Sequence, residues 1–595
     1  MLVEARTFDA LGGDFDPQFD PLLKRIYLAR GVTQQAALQR QLSCLPSPST
    51  MLGINTAVAI LVEALAEQKR VLIVGDFDAD GATSSALMVL ALTAMGYSHV
   101  DFLVPNRFDY GYGLTPEIVD LAAEREPQLL ITVDNGISSI EGVDKANSLG
   151  MQVIVTDHHL PGAVLPAAAA IVNPNQPGCT FATKNLAGVG VAFYLLSALR
   201  GELRNNNWFA KNTIPEPNMA TWLDLVALGT VADVVPLDQI NRALVHQGLM
   251  RIRAGHCRPG IKALLTIAGK NPQRLVATDL GFALGPRLNA AGRLDDISLG
   301  IQCLLTNDPQ LAMDTARELD ELNQDRKVIE QDMQREALKI VEQIPLSLEG
   351  AVPPALCLFQ PEWHQGVVGL LASRIKEKYH RPVIAFARGD NGQLKGSSRS
   401  IPGLHIRDVL DAVATQNPGL ISKFGGHAMA AGLSLDEDKL PAFKDAFQRQ
   451  VAQLLSADDL QAKIATDGEL IQPQLSMGTA ELLRDNGPWG QLFPEPCFEG
   501  DFEVLQQRIV GEKHLKLVLA PVNESGQKQP YAGIDAIWFN ADNAISPSSH
   551  HRLVRCVYRL DINEYRGQQS LQLMIQFLEP LADREPLAGK EPSGQ

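Results

Sequence analysis

Three aspartates stand within five residues in Asp76-Phe77-Asp78-Ala79-Asp80. The apolar run Val71-Leu72-Ile73-Val74 precedes them, and Gly81-Ala82-Thr83-Ser84-Ser85 follows. The pattern predicts a buried strand, a turn, and a helix that opens with Thr or Ser near its cap. Carboxylates so close repel one another, which drives protons onto some of them. A divalent cation removes that conflict; a solvated acidic turn is the alternative.

The elements that position this turn recur downstream. Candidate strands at 71–74, 100–104, 129–133 and 152–156 alternate with amphipathic segments at 83–95, 115–125 and 138–149. Continuous apolar strands between helices imply a parallel sheet covered on both faces. Ligands of such sheets sit beyond the carboxyl ends of the strands. Here those ends carry the three aspartates, Pro105-Asn106-Arg107, Asp134-Asn135-Gly136 and Asp157-His158-His159. Oxygen donors mixed with imidazole suit Mn²⁺ or Mg²⁺ better than a structural zinc. Asp233 adds a carboxylate inside the apolar run Leu225 to Leu237, where a lone acid is costly unless paired or metal-bound. Its other reading is a helix cap for the next segment.

Length and charge set limits. A chain of 595 residues, 45% hydrophobic, accommodates several cores. No apolar run reaches the length of a membrane span, no signal peptide is visible, and the seven cysteines form no Cys-x-x-Cys pair, so the chain reads as cytoplasmic. Net charge is −16, which argues against non-specific nucleic-acid binding. One tract departs from that. Gln239 to Thr278 contains no acid but holds Arg242, Arg251, Arg253, Arg258, Lys262, Lys270 and Arg274. It reads as an anion-binding surface or as chance clustering on a solvated face.

The rest of the chain divides by pattern. Residues 1–54 form a peripheral N-terminal segment. Residues 307–343 predict one long amphipathic helix, capped at Asn307-Asp308 with Pro309 at its first position, and with a polar gap at Gln324-Asp325-Arg326. It reads as a connector. A second α/β unit follows, with strands at 355–359 and 383–387 and a helix from His364 to Tyr379. Two glycine-bearing turns, Gly396-Ser397-Ser398-Arg399-Ser400 and Gly425-Gly426-His427, suit phosphate. From about 460, alternating runs at 514–519, 557–562 and 570–577 predict a small antiparallel barrel. Lys513, Lys516, Arg555, Arg559 and Arg566 there lie among Trp538, Phe539, Tyr558 and Tyr565, a mixture suited to single-stranded nucleic acid. Residues 583–595 read as a disordered tail.

Asp78-x-Asp80, Asp134, Asp157-His158-His159 and Asp233 resemble the four signature motifs of the DHH phosphoesterase superfamily. Val-Pro-Asn-Arg-Phe (104–108), Gly-Pro-Arg-Leu-Asn-Ala-Ala-Gly-Arg-Leu (285–294), Trp-His-Gln-Gly-Val-Val-Gly (363–369) and Phe-Gly-Gly-His-Ala-Met-Ala-Ala-Gly (424–432) extend the resemblance toward its single-stranded-DNA exonucleases. It runs from about residue 55 to the C-terminus. Many superfamily members carry His where this chain has Val74. The fold implied is α/β: a parallel-sheet DHH domain (55–306), a connecting helix (307–345), a smaller α/β domain of the DHHA1 type (346–455) and an OB-like β-barrel (456–582).

The activity implied is metal-dependent 5′-to-3′ exonuclease cleavage of single-stranded DNA, releasing 5′-mononucleotides in repair and recombination. By resemblance, Asp78, Asp80, Asp134, His158 and Asp233 hold two divalent ions, Mn²⁺ or Mg²⁺, with Asp134 between them. Asp134, Asp157 and His159 form the catalytic set, His159 facing the phosphate and Asp157 orienting the histidines. Asp76, Arg287, Asn289, Arg293, His364 and His427 are expected around the substrate phosphates. Arg107, Ser397 and Arg399 are expected around a terminal 5′-phosphate. A single-stranded-DNA-binding protein and a helicase are implied partners. Two other readings stay open: an enzyme on small phosphate compounds or short oligonucleotides, and a scaffold that has lost the chemistry. The barrel argues against the first and the intact carboxylates against the second.

Overall fold

The computed structural model describes the chain apart from residues 10–11, 105–109, 111–112, 345–351, 390–391, 512, 523–532, 542–552, 566 and 582–595. Arg107, Arg566 and the C-terminal tail therefore lie outside the described residues. A short strand β1 (Leu2–Ala5) precedes the helix Pro21–Leu28. Strands β2 (Val71–Gly75), β3 (Val100–Leu103), β4 (Leu129–Val133), β5 (Gln152–Thr156) and β6 (Ala170–Val172) then form a parallel sheet in the order β3-β2-β4-β5-β6. Four of them stand where the apolar runs predicted. β6 has three residues, too few to carry a pattern.

Alternate residues of the central strands point to opposite faces, as the pleat requires. Ile73, Ile131 and Ile154 pack with helices Ile54–Ala66, Ala79–Met95 and Gly188–Asn205. Leu72, Val74, Leu130 and Val153 pack with Pro116–Ala123 and Ile140–Ser148. Val74, where the superfamily resemblance implied a His, is thus a core residue. The helix after β2 begins earlier than expected: Asp78, not a Thr or Ser, is its N-cap and accepts from the N–H groups of Asp80 (2.9 Å) and Gly81 (3.1 Å).

The connecting helix is continuous from Pro309 to Gln343, with Asp308 as its cap. The polar gap in its stripe has a physical reason. Asn323, Arg326 and Glu330 are buried there: Arg326 pairs with Asn323 and Glu330, and Arg374 of the next unit reaches Glu330 at 2.8 Å. The gap is where the connector binds the second domain.

That domain is built on β7 (Leu356–Phe359), β8 (Val383–Arg388), β9 (Gln393–Arg399), β10 (Lys423–Gly426) and β11 (Ala430–Asp436), ordered β10-β11-β9-β8-β7. Gly396 to Arg399 belongs to strand β9 and is not the turn expected from its composition. A Cβ on Gly396 would lie 2.5 Å from the Phe386 ring, so the glycine serves close packing. The helix expected from His364 begins at Val368, because His364 Nδ1 accepts from Gly366 N–H and turns the chain first.

Beyond β12 (Lys463–Thr466), strands β13 (Phe498–Val510), β14 (His514–Pro521), β15 (Ile534–Trp538), β16 (Leu553–Tyr565) and β17 (Gln568–Pro580) close a barrel in the order β13-β14-β15-β17-β16. Three of the five were expected. Among the described residues no single helix is long and apolar enough to cross a membrane.

The N-terminal segment is not peripheral. β1 pairs in parallel with β12. Arg30 makes a two-pronged bond to Asp467 at 2.7 and 3.0 Å, with side chains 1% and 0% exposed. Tyr27 stacks on Trp489 and Phe493. Removing one member of a buried pair leaves the other uncompensated. Asp467→Ala is therefore expected to cost about 3–5 kcal/mol, visible as a lower first transition in a thermal melt.

Candidate metal centre and active site

The ends of β2, β4 and β5 bring their acids together. Ligand atoms of Asp76, Asp78 and Asp134 lie within 4.8 Å of one another, as do those of Asp80, His158 and Asp233, and those of Asp134, His158 and His159. Asp134 and His158 each belong to two groups. His158 Nε2 stands 3.0 Å from Asp134 Oδ1 and 3.4 Å from Asp233 Oδ2. All three atoms are buried, and none has a hydrogen-bond partner. Buried polar atoms are normally satisfied. Three that converge without a hydrogen bond fit a divalent cation, and the oxygen–imidazole donor set fits Mn²⁺ or Mg²⁺.

The electrostatics agree. Burial, and then the charges of Asp80 and Asp78, push Asp134 and Asp233 well above the usual carboxylate range. Burial and Asp78 push Asp80 up to about 7, against the N–H groups of Val189 and Gly188. Burial, with the charge of His159, pulls His158 down to about 4 and keeps its lone pair available. His159 goes the other way. Burial would lower it, but its 2.7 Å bond to Asp157 Oδ1 and that carboxylate's charge raise it to about 9. Asp157 also accepts from the N–H groups of Ile137, His158 and His159, so it fixes the whole His-His turn.

The raised Asp80 gives a pH prediction. Without a cation, the folded state holds this proton from the ordinary value of 3.8 up to about 7, so its contribution to stability falls as pH rises through that window. A cation displaces the proton. The rise in melting temperature on adding Mn²⁺ is therefore expected to be larger at about pH 8 than at about pH 5.5, as scanning calorimetry would read.

Sequence reasoning passed over the glycines that make the site possible. Asp80 accepts from Gly188 N–H (2.6 Å) and Val189 N–H (2.9 Å), at the start of helix Gly188–Asn205. A Cβ on Gly188 would lie 2.6 Å from Asp134 Cβ. Gly188-Val189-Gly190 was a visible signal of close approach. Asp134 itself has φ +63°, a left-handed conformation that Asp tolerates better than most. Gly188→Ala is expected to displace Asp134 and weaken Mn²⁺ binding about tenfold, measured by titration calorimetry.

The remaining candidates divide. Asp233 ends helix Leu223–Ala232 and is half-buried; the next helix is capped by Asp238, so the cap reading for Asp233 fails. Asp76, expected near phosphate, sits in the cation-holding group, where a carboxylate is better placed than beside an anion. On helix Gly285–Leu294, Asn289 Oδ1 accepts from Ala79 N–H at 2.7 Å and so fastens the acidic turn. Arg287 is buried and bound to Asp320 (2.8 Å) and the Ala283 carbonyl, which commits it to the connecting helix. Arg293 donates to the Gly366 carbonyl at 3.1 Å, joining this helix to the loop that holds His364. Across the cleft the His427 ring stacks on His159, centroids 6.0 Å apart.

Arg399 stands on β9. It donates to Ser397 Oγ (3.1 Å) and the Ser398 carbonyl (2.8 Å), and among the described residues no carboxylate pairs with it. Burial pulls its pKa down. Gly369, in the first turn of helix Val368–Tyr379, leaves room for both side chains, since a Cβ there would lie 2.9 Å from each. A hydroxyl, a guanidinium and a helix N-terminus around one space suit a phosphate.

The basic tract is largely structural. Arg242, Arg253 and Arg258 donate to backbone carbonyls, Lys270 pairs with Asp279, and Arg274 with Glu564. In the barrel, Lys516, Arg555 and Arg559 pair with Asp535, Asp501 and Glu495, and Tyr558 is buried in the core. Phe539 is exposed beside His514, and Lys513 is exposed.

Comparison with known proteins gives consistent results. Three family profiles match: "DHH family, N-terminal domain" over residues 70–230, "DHHA1 domain" over 352–453 and "RecJ OB domain" over 466–576. The single-stranded-DNA-specific exonuclease RecJ of Dickeya dadantii is 56% identical over 560 residues, 94% of this chain and 96% of that protein. The crystal structure of RecJ from Thermus thermophilus in complex with Mn²⁺ matches with a TM-score of 0.76 at 30% identity, covering 98% of this chain and 80% of that one. The Mg²⁺ complex from the same organism matches at 0.71 and 28%, covering 98% and 79%.

Proposed function

The chain belongs to the RecJ family of single-stranded-DNA-specific exonucleases, and on that premise we propose that it hydrolyses single-stranded DNA from the 5′ end, one nucleotide at a time, in repair and recombination. The observation that carries the reading is the convergence of Asp134 Oδ1, His158 Nε2 and Asp233 Oδ2, buried and without hydrogen-bond partners, inside a ring of further carboxylates. Asp76, Asp78 and Asp134 would hold one divalent ion and Asp80, His158 and Asp233 the other, with Asp134 next to both. When bound, such ions make water acidic enough to attack phosphorus and offset charge on the departing oxygen.

The chain's own groups do the rest. Asp157 keeps His159 protonated, so its imidazolium donates to the phosphate and draws the negative strand into an acidic site. Arg399 and Ser397 receive the terminal 5′-phosphate, whose extra charge and free oxygens distinguish it from phosphates along the strand. The barrel holds the strand beyond the cut, which favours polymeric substrates over small phosphate compounds. A helicase that produces single strands and a protein that coats them are the partners this reading implies.

The test is digestion of single strands labelled at one end or the other, with Mn²⁺ or Mg²⁺. Labelled mononucleotide should appear first from the 5′-labelled strand. Early release from the 3′ label, or activity confined to dinucleotides, would overturn the reading.

A further inference from the structure

Phe282 is 82% exposed, more than any other large apolar side chain among the described residues. It lies mid-way along a π-helical turn, Leu280–Leu284, that continues into helix Gly285–Leu294. Such turns are rare and recur at functional sites. The glycines on either side show where it rests. A Cβ on Gly281 would lie 3.2 Å from Val231 Cγ1, and one on Gly285 would lie 3.2 Å from Ala232 Cβ. The turn therefore sits on the two residues before Asp233.

Val234 follows Asp233. It is 62% exposed and has φ +61°, an outlier for a β-branched residue. Its N–H donates to the Val231 carbonyl at 3.3 Å. A Cβ on Gly281 would approach that same oxygen to 3.8 Å, so the chain neighbours of Phe282 and Val234 meet two residues before a candidate metal ligand. Three residues on, Leu237 N–H donates to the Gln491 carbonyl at 2.9 Å. Leu492 is next, 73% exposed, with φ +54°. It stands in the segment that leads into barrel strand β13.

Three strongly exposed apolar side chains, two on strained backbone, thus belong to segments that these contacts join between Asp233 and the barrel. Strain of this kind persists where surrounding structure enforces it, and it clusters at functional sites. We infer that Phe282, together with Val234 and Leu492, forms a ledge on which unpaired nucleobases stack on the 3′ side of the scissile phosphate. The inference rests on the exonuclease reading above and adds a source of strand selectivity to it. Aromatic stacking accepts any base, because every base has a flat face. In a duplex those faces are already covered, so a duplex gains nothing from the ledge.

The test pairs a change in the protein with a change in the strand. Binding of a 3′-fluorescein oligo-dT and of an otherwise identical abasic strand is read by anisotropy, on an Asp134→Asn background that keeps the strand whole. The abasic strand should bind about tenfold more weakly. With Phe282→Ala added, oligo-dT should bind nearly that weakly too, and removing its bases should cost far less than before. Phe282→Trp should restore the difference. If the full abasic penalty persists in Phe282→Ala, or oligo-dT binds it as tightly as before, the ledge is wrong. Cleavage of oligo-dT by the unsubstituted chain reports separately on the exonuclease reading. A Phe282-dependent penalty without cleavage would uphold base stacking at Phe282 but sink that reading, and with it the ledge's place beside a scissile phosphate.

Discussion

Asp134→Ala is expected to abolish cleavage while single-strand binding survives. Among the described residues Asp134 is the one carboxylate shared between the acidic group around Asp76 and Asp78 and the histidine pair, and its Oδ1 is buried 3.0 Å from His158 Nε2. Removing it takes away the carboxylate that stands next to both prospective cations, and Asp80 cannot move in, because two backbone N–H groups hold it. Alanine tolerates the left-handed backbone poorly, so Asp134→Asn is the companion variant: it keeps shape and conformation and loses only the charge. Both should lose the Mn²⁺-dependent rise in melting temperature. Without a cation, Asp134→Asn should melt no lower than the parent, since it removes a buried acid that its neighbours repel. Retained cleavage at saturating Mn²⁺ would dismiss Asp134 as the shared ligand.

Arg399→Ala is expected to slow degradation of 5′-phosphorylated strands far more than of 5′-hydroxyl strands. The guanidinium is half-buried, and its bonds among the described residues go to a hydroxyl and a carbonyl. A partly desolvated cation without a carboxylate is poised for an incoming anion. Losing one charge-assisted contact costs about 1.5–3 kcal/mol, which is about ten- to hundredfold in rate if it acts in the transition state. Comparing kcat/KM on the two strands reads the effect. Equal slowing on both would mean that Arg399 holds the backbone generally.

What the sequence revealed, and what it hid, follows from where each signal originates. The parallel sheet was legible because β2 and β4 are buried at every position and so read as unbroken apolar runs. The polar residues just past those runs fell at the mouth of the sheet by topology alone. Asp78 was legible as an acid at the site but not as a helix cap, since one carboxylate can serve in both roles. Gly396 to Arg399 looked like a turn because glycine and serine dominate it; the glycine answers to the Phe386 ring, a neighbour remote in sequence. The basic tract looked like an anion surface because composition does not show the carbonyls that its arginines meet. Segment 1–54 carried too little periodicity to disclose partners more than 400 residues away.

That last distance bears on how the chain is made. Glu4 of β1 bonds Lys463 of β12, 459 residues further along. At roughly 5–20 residues per second, translation needs about half a minute or more to cover that gap. Throughout that interval β1 has no strand to pair with, and Arg30 has no Asp467 to neutralise it as the helix Pro21–Leu28 settles. The metal-binding sheet can fold in the meantime, because its strands lie close together in sequence. The clasp between the N-terminal segment and β12 is then a late event, so a nascent chain stalled before residue 463 should expose its N-terminal segment to protease while the sheet resists.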